Sequence, residues 1–220
     1  MRTNYRQVGF TLVEIAIVLV IIGLLLGGIL KGQEMITQAR IKNVINDFNG
    51  VTAAYASYQD RYRAIPGDDQ GAATRWAGPP AAVQGNGDGR LDGLYNETVA
   101  FPPPNTKEAN LFWWHLRLAG FIPGPTTVAG AANQPTNAFG GKIGAQNSAA
   151  GAALGLNGLI ICSAGVPDKV AIAVDTQLDD QSAGSGSIRA MFGDSLTALV
   201  PGTSPYAENG TNTYILCKGV

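Results

Sequence analysis

A run of 21 residues from Phe10 to Leu30 is apolar but for Thr11 and Glu14. At about 1.5 Å of helix rise per residue, it is long enough to cross the hydrocarbon core of a membrane. The nine residues before it, MRTNYRQVG, carry Arg2 and Arg6 and no acid, so that end is expected to stay in the cytoplasm. A secretory signal would be cut after its apolar core at a small-x-small site followed by a loop. Here no such site follows, and helical character continues past Leu30. Glu14 is the exception that matters most, because an isolated carboxylate in hydrocarbon costs several kcal/mol unless it finds a partner. Proximity to head groups would make the acid tolerable. It would not explain why an acid is there.

The string Gly9-Phe10-Thr11-Leu12-Val13-Glu14 follows a short basic leader and precedes an uninterrupted apolar stretch. In this it resembles the processing site of type IV prepilins and type II secretion pseudopilins. The resemblance implies that a prepilin peptidase cuts between Gly9 and Phe10 on the cytoplasmic side and that the new Phe10 amine is N-methylated. It also implies that the Glu14 carboxylate meets the N-terminal amine of a neighbouring subunit during assembly, which supplies the missing counter-charge. Many members carry a helix-kinking proline twenty-one residues after the mature phenylalanine, and here that position is Lys31. Gly23, Gly27, Gly28 and Gly32 each weaken a helix by up to about 1 kcal/mol relative to alanine, so the helix is expected to loosen around Gly23 to Gly28 in a filament.

From Lys31 to Tyr62 there is no proline. Ile36, Ala39, Ile41, Val44, Ile45, Phe48, Val51, Ala54, Tyr55 and Tyr58 recur there at helical spacings, which predicts one buried stripe. Pro66 ends the pattern. The expected organisation is a leader over residues 1–9, a long helix over 10–62 with 10–30 in the membrane or filament core, and a head over 63–220. The fold class is α+β: a long N-terminal α-helix packed against a C-terminal antiparallel β-sheet.

Within the head, glycine, proline and aspartate mark Gly67 to Pro104 as loop. TKEANLFWWHLRLA predicts a short helix with Thr106 as N-cap, Gly120 past its end, and Leu111, Trp114 and Leu118 on one face. His115 and the tryptophans there read as packing residues. Pro125 to Gly158 reads as a surface loop. Strands are expected at Gly158 to Ser163, Lys169 to Val174, Ser187 to Phe192 and Thr213 to Cys217, the second from the alternation of Val170, Ile172 and Val174. Cys162 and Cys217 are expected to pair if the head is exported, tying the first of these strands to the last; the alternative is two buried thiols.

Two segments carry candidate chemistry. In Gln84 to Asp92, the oxygens of Asn86, Asp88 and Asp92, with Gly89 at the turn, follow the spacing of a calcium loop. Arg90 and Glu97 complete the set, although Gln84 and Tyr95 stand where acids belong. A glycine-rich polar turn explains the same residues. Asp175, Asp179 and Asp180 form a second, weaker acidic group, expected between two strands, where adjacent carboxylates repel unless a cation or a basic partner such as Arg189 is present.

No serine elbow, phosphate-binding glycine loop or zinc spacing is present, and His115 is the single histidine, so a structural role is expected rather than an enzymatic one. From Arg63 onward there are nine basic and twelve acidic residues, which argues against generic nucleic-acid binding. The resemblance implies as partners copies of the chain itself and other pilins, the prepilin peptidase and an inner-membrane assembly platform. It places the precursor as a single pass in the inner membrane, followed by a filament in the periplasm or at the cell surface. The alternative is a bitopic membrane protein with a calcium-dependent binding or enzymatic head that does not polymerise.

Overall fold

The computed structural model describes residues 9–78, 81–97, 107–127, 133–148, 153–193 and 205–220. The basic leader with Arg2 and Arg6, and the expected N-cap Thr106, lie outside the described residues. Helix α1 spans Leu12–Tyr62, and the chain divides into two compact units, residues 1–39 and 40–220.

In the first unit the described residues from Leu12 onward are helical, and their apolar side chains, Leu12 through Ile36, are exposed. This part of α1 is long and apolar enough to cross a membrane. The helix passes through Gly23, Gly27 and Gly28 without a break in this single chain.

The second unit is organised by burial. Along α1, Ile41, Val44, Phe48, Val51, Ala54 and Tyr58 are buried at steps of three and four, the stripe expected of an amphipathic helix. The helix ends as Arg63 turns left-handed at φ 54°, three residues before Pro66. Then come a single turn, α2 (Ala72–Arg75), and helix α3 (Glu108–Leu118). Four strands follow: β1 (Ile143–Ser148), β2 (Gly158–Pro167), β3 (Ile188–Phe192) and β4 (Thr213–Gly219), with helix α4 (Asp168–Leu178) between β2 and β3. All pairings are antiparallel, in the order β1-β2-β4-β3.

The sheet is covered on both faces, because side chains alternate along each strand. Leu159 and Ile161 of β2 and Leu216 of β4 join the main core with the α1 stripe, with Phe112, Trp113 and Leu116 of α3, and with Val170 and Val174 of α4. Ile160, Cys162, Ile215 and Cys217 point the other way, into a smaller core closed by Tyr95, Leu154 and Leu156. Cys162 and Cys217 are directly opposed on β2 and β4, and they form a disulfide across a Cα separation of 4.0 Å. That spacing marks a non-hydrogen-bonded pair, where strands approach most closely.

Three expectations need correction. Lys169 to Val174 is not a strand but the body of α4. Val170, Ala171, Val174 and Asp175 are buried together, a helical face that the alternating Val170, Ile172 and Val174 conceals. Pro125 to Gly158 is not all surface loop, since β1 lies within it with Ile143, Gly144, Ala145 and Gln146 buried. Its small and polar residues have little strand propensity of their own. Tertiary fit decides the matter: a Cβ at Gly144 would stand 1.6 Å from the Tyr95 carbonyl oxygen, so only glycine lets that chain segment lie against the strand. Consequently the disulfide joins the second strand to the last, not the first.

Candidate functional site

Gly9 and Phe10 are exposed and precede the first turn of α1. Thr11 and Glu14 bind each other across that turn. The Thr11 backbone N–H and hydroxyl both donate to Glu14 Oε2, at 2.8 and 2.7 Å, and the Glu14 N–H points back to Thr11 Oγ1 at 3.3 Å. This is a capping box, in which an N-cap threonine and an acid three residues later satisfy each other's free donors. An acid at the N-terminal end of a helix also faces the positive end of its dipole. Glu14 therefore has a local reason for its position that the membrane argument alone did not provide. The T-x-x-E signal was present in the sequence, inside the motif. Among the described residues Oε1 of Glu14 accepts no hydrogen bond, so one oxygen is held by Thr11 and the other is open.

In the second unit, oxygens of the predicted calcium set close turns along their own stretch of chain. Asn86 Oδ1 accepts the Asp88 N–H, Asp88 Oδ1 accepts the Arg90 N–H, and Glu97 Oε2 accepts the Leu94 N–H. These are local turns. The carboxylates that do converge are Asp68, Asp88 and Glu108, each offering an oxygen within 4.8 Å of the others. Only Asp88 belongs to the predicted set; the other two come from about twenty residues before and after it.

Asp68 and Glu108 hold the loop by its backbone. The N–H groups of Gly87, Asp88 and Gly89 all donate to Asp68, an arrangement made by the left-handed backbone of Gly87 and Gly89. Glu108 accepts from the N–H groups of Asn86 and Asp92 at 2.8 and 3.0 Å. Burial pushes the Glu108 carboxyl above its ordinary value, those two N–H groups work against the shift, and the charges of Asp68 and Asp92 add to it. Next to Asp68, Asp69 accepts from the Tyr58 hydroxyl, the Gly71 N–H and Arg75. Burial works to raise its pKa, but these donors outweigh burial and hold the carboxyl below the usual range.

Asp175, Asp179 and Asp180 also converge, but at the end of α4 rather than between two strands. Asp175 accepts the Gln181 N–H and the Tyr206 hydroxyl, Asp179 the Ile188 N–H, and Asp180 the Ser182 N–H and Ser185 hydroxyl. Arg189 donates to the carbonyls of Leu154 and Gly186 rather than to these acids, while its charge adds to the lowering of the Asp180 pKa. His115 is a core residue: Nδ1 accepts the Gly67 N–H at 2.9 Å, Nε2 faces the Val83 carbonyl at 2.8 Å, and burial lowers its pKa to about 4.

Comparison with known proteins places the recognisable signal at the N-terminus. Residues 5–30 match the family model described as the prokaryotic N-terminal methylation motif. Among curated proteins and among solved structures no match is found. The matched segment contains Gly9, Phe10, the capping box and the apolar start of α1, and with it the chain bears the signature of the type IV prepilins and pseudopilins.

Proposed function

We propose that this chain is a structural subunit of a type IV pilus-like filament. The prepilin peptidase would cut it between Gly9 and Phe10, N-methylate Phe10, and release α1 to assemble with copies of itself and other pilins on an inner-membrane platform. The observation that carries this reading is the state of Glu14 within the methylation motif. Thr11 fixes one carboxylate oxygen and leaves the other open, beside the position where cleavage creates an ammonium group. In hydrocarbon such a carboxylate gains several kcal/mol from a paired cation, so the amine of a neighbouring subunit is its natural partner. The exposed apolar face of Leu12 to Leu30 supplies the surface that would pack in a filament core.

The test is mass analysis of sheared surface filaments. The reading requires the chain among them, starting at a methylated Phe10. It also requires that Glu14→Leu leave membrane insertion and cleavage intact while filaments fail to form. Normal filament yield from Glu14→Leu would refute it.

We also propose a calcium site at Asp68, Asp88 and Glu108, the carboxylates that converge. Calcium takes six to eight oxygens. Since the backbone N–H groups already occupy Asp68 and Glu108, the proposed affinity is weak.

A further inference from the structure

The chain contains the pairs Asn49–Gly50, Asn86–Gly87, Asn157–Gly158 and Asn209–Gly210. In each, the bare glycine leaves its amide nitrogen open to the asparagine side chain, and attack by that nitrogen on the side-chain carbonyl carbon closes a succinimide. The sequence does not separate these pairs. The structure does.

Asn49 lies inside α1, where helical hydrogen bonds hold the backbone. Gly158 opens β2. At Asn86 the Gly87 N–H donates to Asp68, but among the described residues only the Asp88 N–H reaches Asn86 Oδ1. Asn209 is exposed and brings together the parts of a reaction centre. The Gly210 N–H donates to Asp168 Oδ2 at 2.6 Å, so a base touches the proton that the nucleophile must lose. Three donors meet Asn209 Oδ1, where charge develops during the attack: the Thr211 N–H and hydroxyl, each at 3.0 Å, and the Asn212 N–H at 2.9 Å. Asn209 Nδ2, the leaving nitrogen, donates to Asn212 Oδ1 at 3.0 Å. Burial works to raise the Asp168 pKa, but the N–H groups of Gly210, Lys169 and Asn209 and the Lys169 charge hold it below the usual range. The carboxylate is therefore ionised throughout the neutral range.

We propose that Asn209 is a self-modifying site, converted to aspartate and isoaspartate through a succinimide with Gly210, with Asp168 as the base. The Gly210 nitrogen bonds to Asn209 Cγ as its proton passes to Asp168 Oδ2, and the carbonyl electron pair moves onto Oδ1. The pair then returns, the Cγ–Nδ2 bond breaks, and the proton on Asp168 leaves with the nitrogen as ammonia. Water opens the ring at either carbonyl. Both products place a new negative charge in the turn held by Asp168 and remove the donor to Asn212; isoaspartate also adds a carbon to the backbone. The turn that leads into β4 is thereby loosened. The proposal does not depend on the filament reading.

The experiment incubates the full chain in micelles, digests it at acid pH, and follows the Asn209 peptide by mass spectrometry against a synthetic peptide of residues 205–215. Asn209 should convert at least about tenfold faster than the synthetic peptide, and faster than the other three pairs. Its rate should change little between about pH 6 and pH 8, whereas the peptide, which depends on hydroxide, should speed up by about tenfold per unit. Thr211 is exposed, so Thr211→Val removes a donor without disturbing the core, and it should slow conversion by about threefold or more. Asp168→Asn should bring the rate to that of the peptide or lower. Faster conversion in a folded Asp168→Asn would overturn the proposal, because the same hydrogen bonds would then be holding Asn209 back. A wild-type rate at or below that of the peptide, a hydroxide-like pH slope, or an unchanged rate in Thr211→Val would overturn it too. Where circular dichroism shows Asp168→Asn unfolded, the last three results decide.

Discussion

Protonation of His115 should make the second unit less stable as pH falls from 7 to 4. The ring is fully buried, accepts the Gly67 N–H on Nδ1 and donates from Nε2 to the Val83 carbonyl. Adding a proton to Nδ1 would set two donors against each other inside the core. Burial lowers the pKa to about 4; the Val83 contact and the charge of Asp69 oppose that shift, and Arg75 reinforces it. In the unfolded chain the ring titrates near 6.5. The folded state therefore binds fewer protons than the unfolded state between those two values, and stability falls as pH falls through them. A separation of about 2.5 units, at about 1.4 kcal/mol per unit, gives a full loss of about 3.5 kcal/mol, of which about 3 kcal/mol falls between pH 7 and pH 4. Urea unfolding of the full chain in micelles, followed from pH 7 to pH 4, measures it. His115→Asn retains an acceptor for Gly67 and cannot titrate, so it should be less stable at pH 7 but lose less on acidification. Equal pH slopes for the two proteins would show that the ring does not stay neutral in the fold.

The disulfide closes a sequence separation of 55 residues, for which the chain-entropy relation gives about 4 kcal/mol; reduction of the wild type should lower urea stability by about that much, and a loss below about 1 kcal/mol would mean that the reduced chain stays ordered when unfolded. Thr11→Ala should leave cleavage at Gly9 unchanged but weaken the first turn by about 1 kcal/mol and reduce filament yield, with Thr11→Ser close to wild type; equal yields from all three would remove the capping box from assembly. Calcium should raise the melting temperature of the wild type saturably at millimolar concentration and leave Asp88→Ala unmoved, whereas no shift in the wild type would end the calcium proposal.

The parts of this fold that were legible in the sequence are those decided by local signals. The α1 stripe from Ile41 to Tyr58 and its stop before Pro66 need only spacing and proline, and strands β2, β3 and β4 announce themselves as apolar runs between turns. Helix α4 is hidden in the sequence because Val170, Ile172 and Val174 satisfy a period of two, while Ala171, which completes the buried helical face, is too small to mark it. β1 had no local signal at all: its state is fixed by what lies against Gly144. The same division runs through the candidate sites. The methylation motif that holds Gly9, Phe10 and Glu14 is one short string, readable without the fold. The partners that shape the 84–92 loop, Asp68 and Glu108, come from distant positions that only the fold brings together. Thr11 has a local signal, the T-x-x-E spacing to Glu14, that the membrane cost of the acid masks.

One physical device recurs through the molecule and explains how a chain with 29 glycines and only 14% charged residues orders its loops. Among the described residues the single ion pair with a buried member is Arg75 with Asp69; the other three lie between largely exposed side chains and contribute little. Buried acids instead accept backbone N–H groups. Asp68 takes three from the 87–89 turn, Glu108 takes those of Asn86 and Asp92, and Asp168 takes those of Lys169, Asn209 and Gly210. Each such bond is charge-assisted and therefore stronger than a neutral one, and it fixes turns made of glycine and polar residues that add no apolar side chain to the core. A cation entering at Asp68, Asp88 and Glu108 would draw on the same oxygens. It can strengthen the loop only where lone pairs remain, so calcium, if it is a ligand, must act as a weak addition to a loop already in place, and removing it should leave the loop folded.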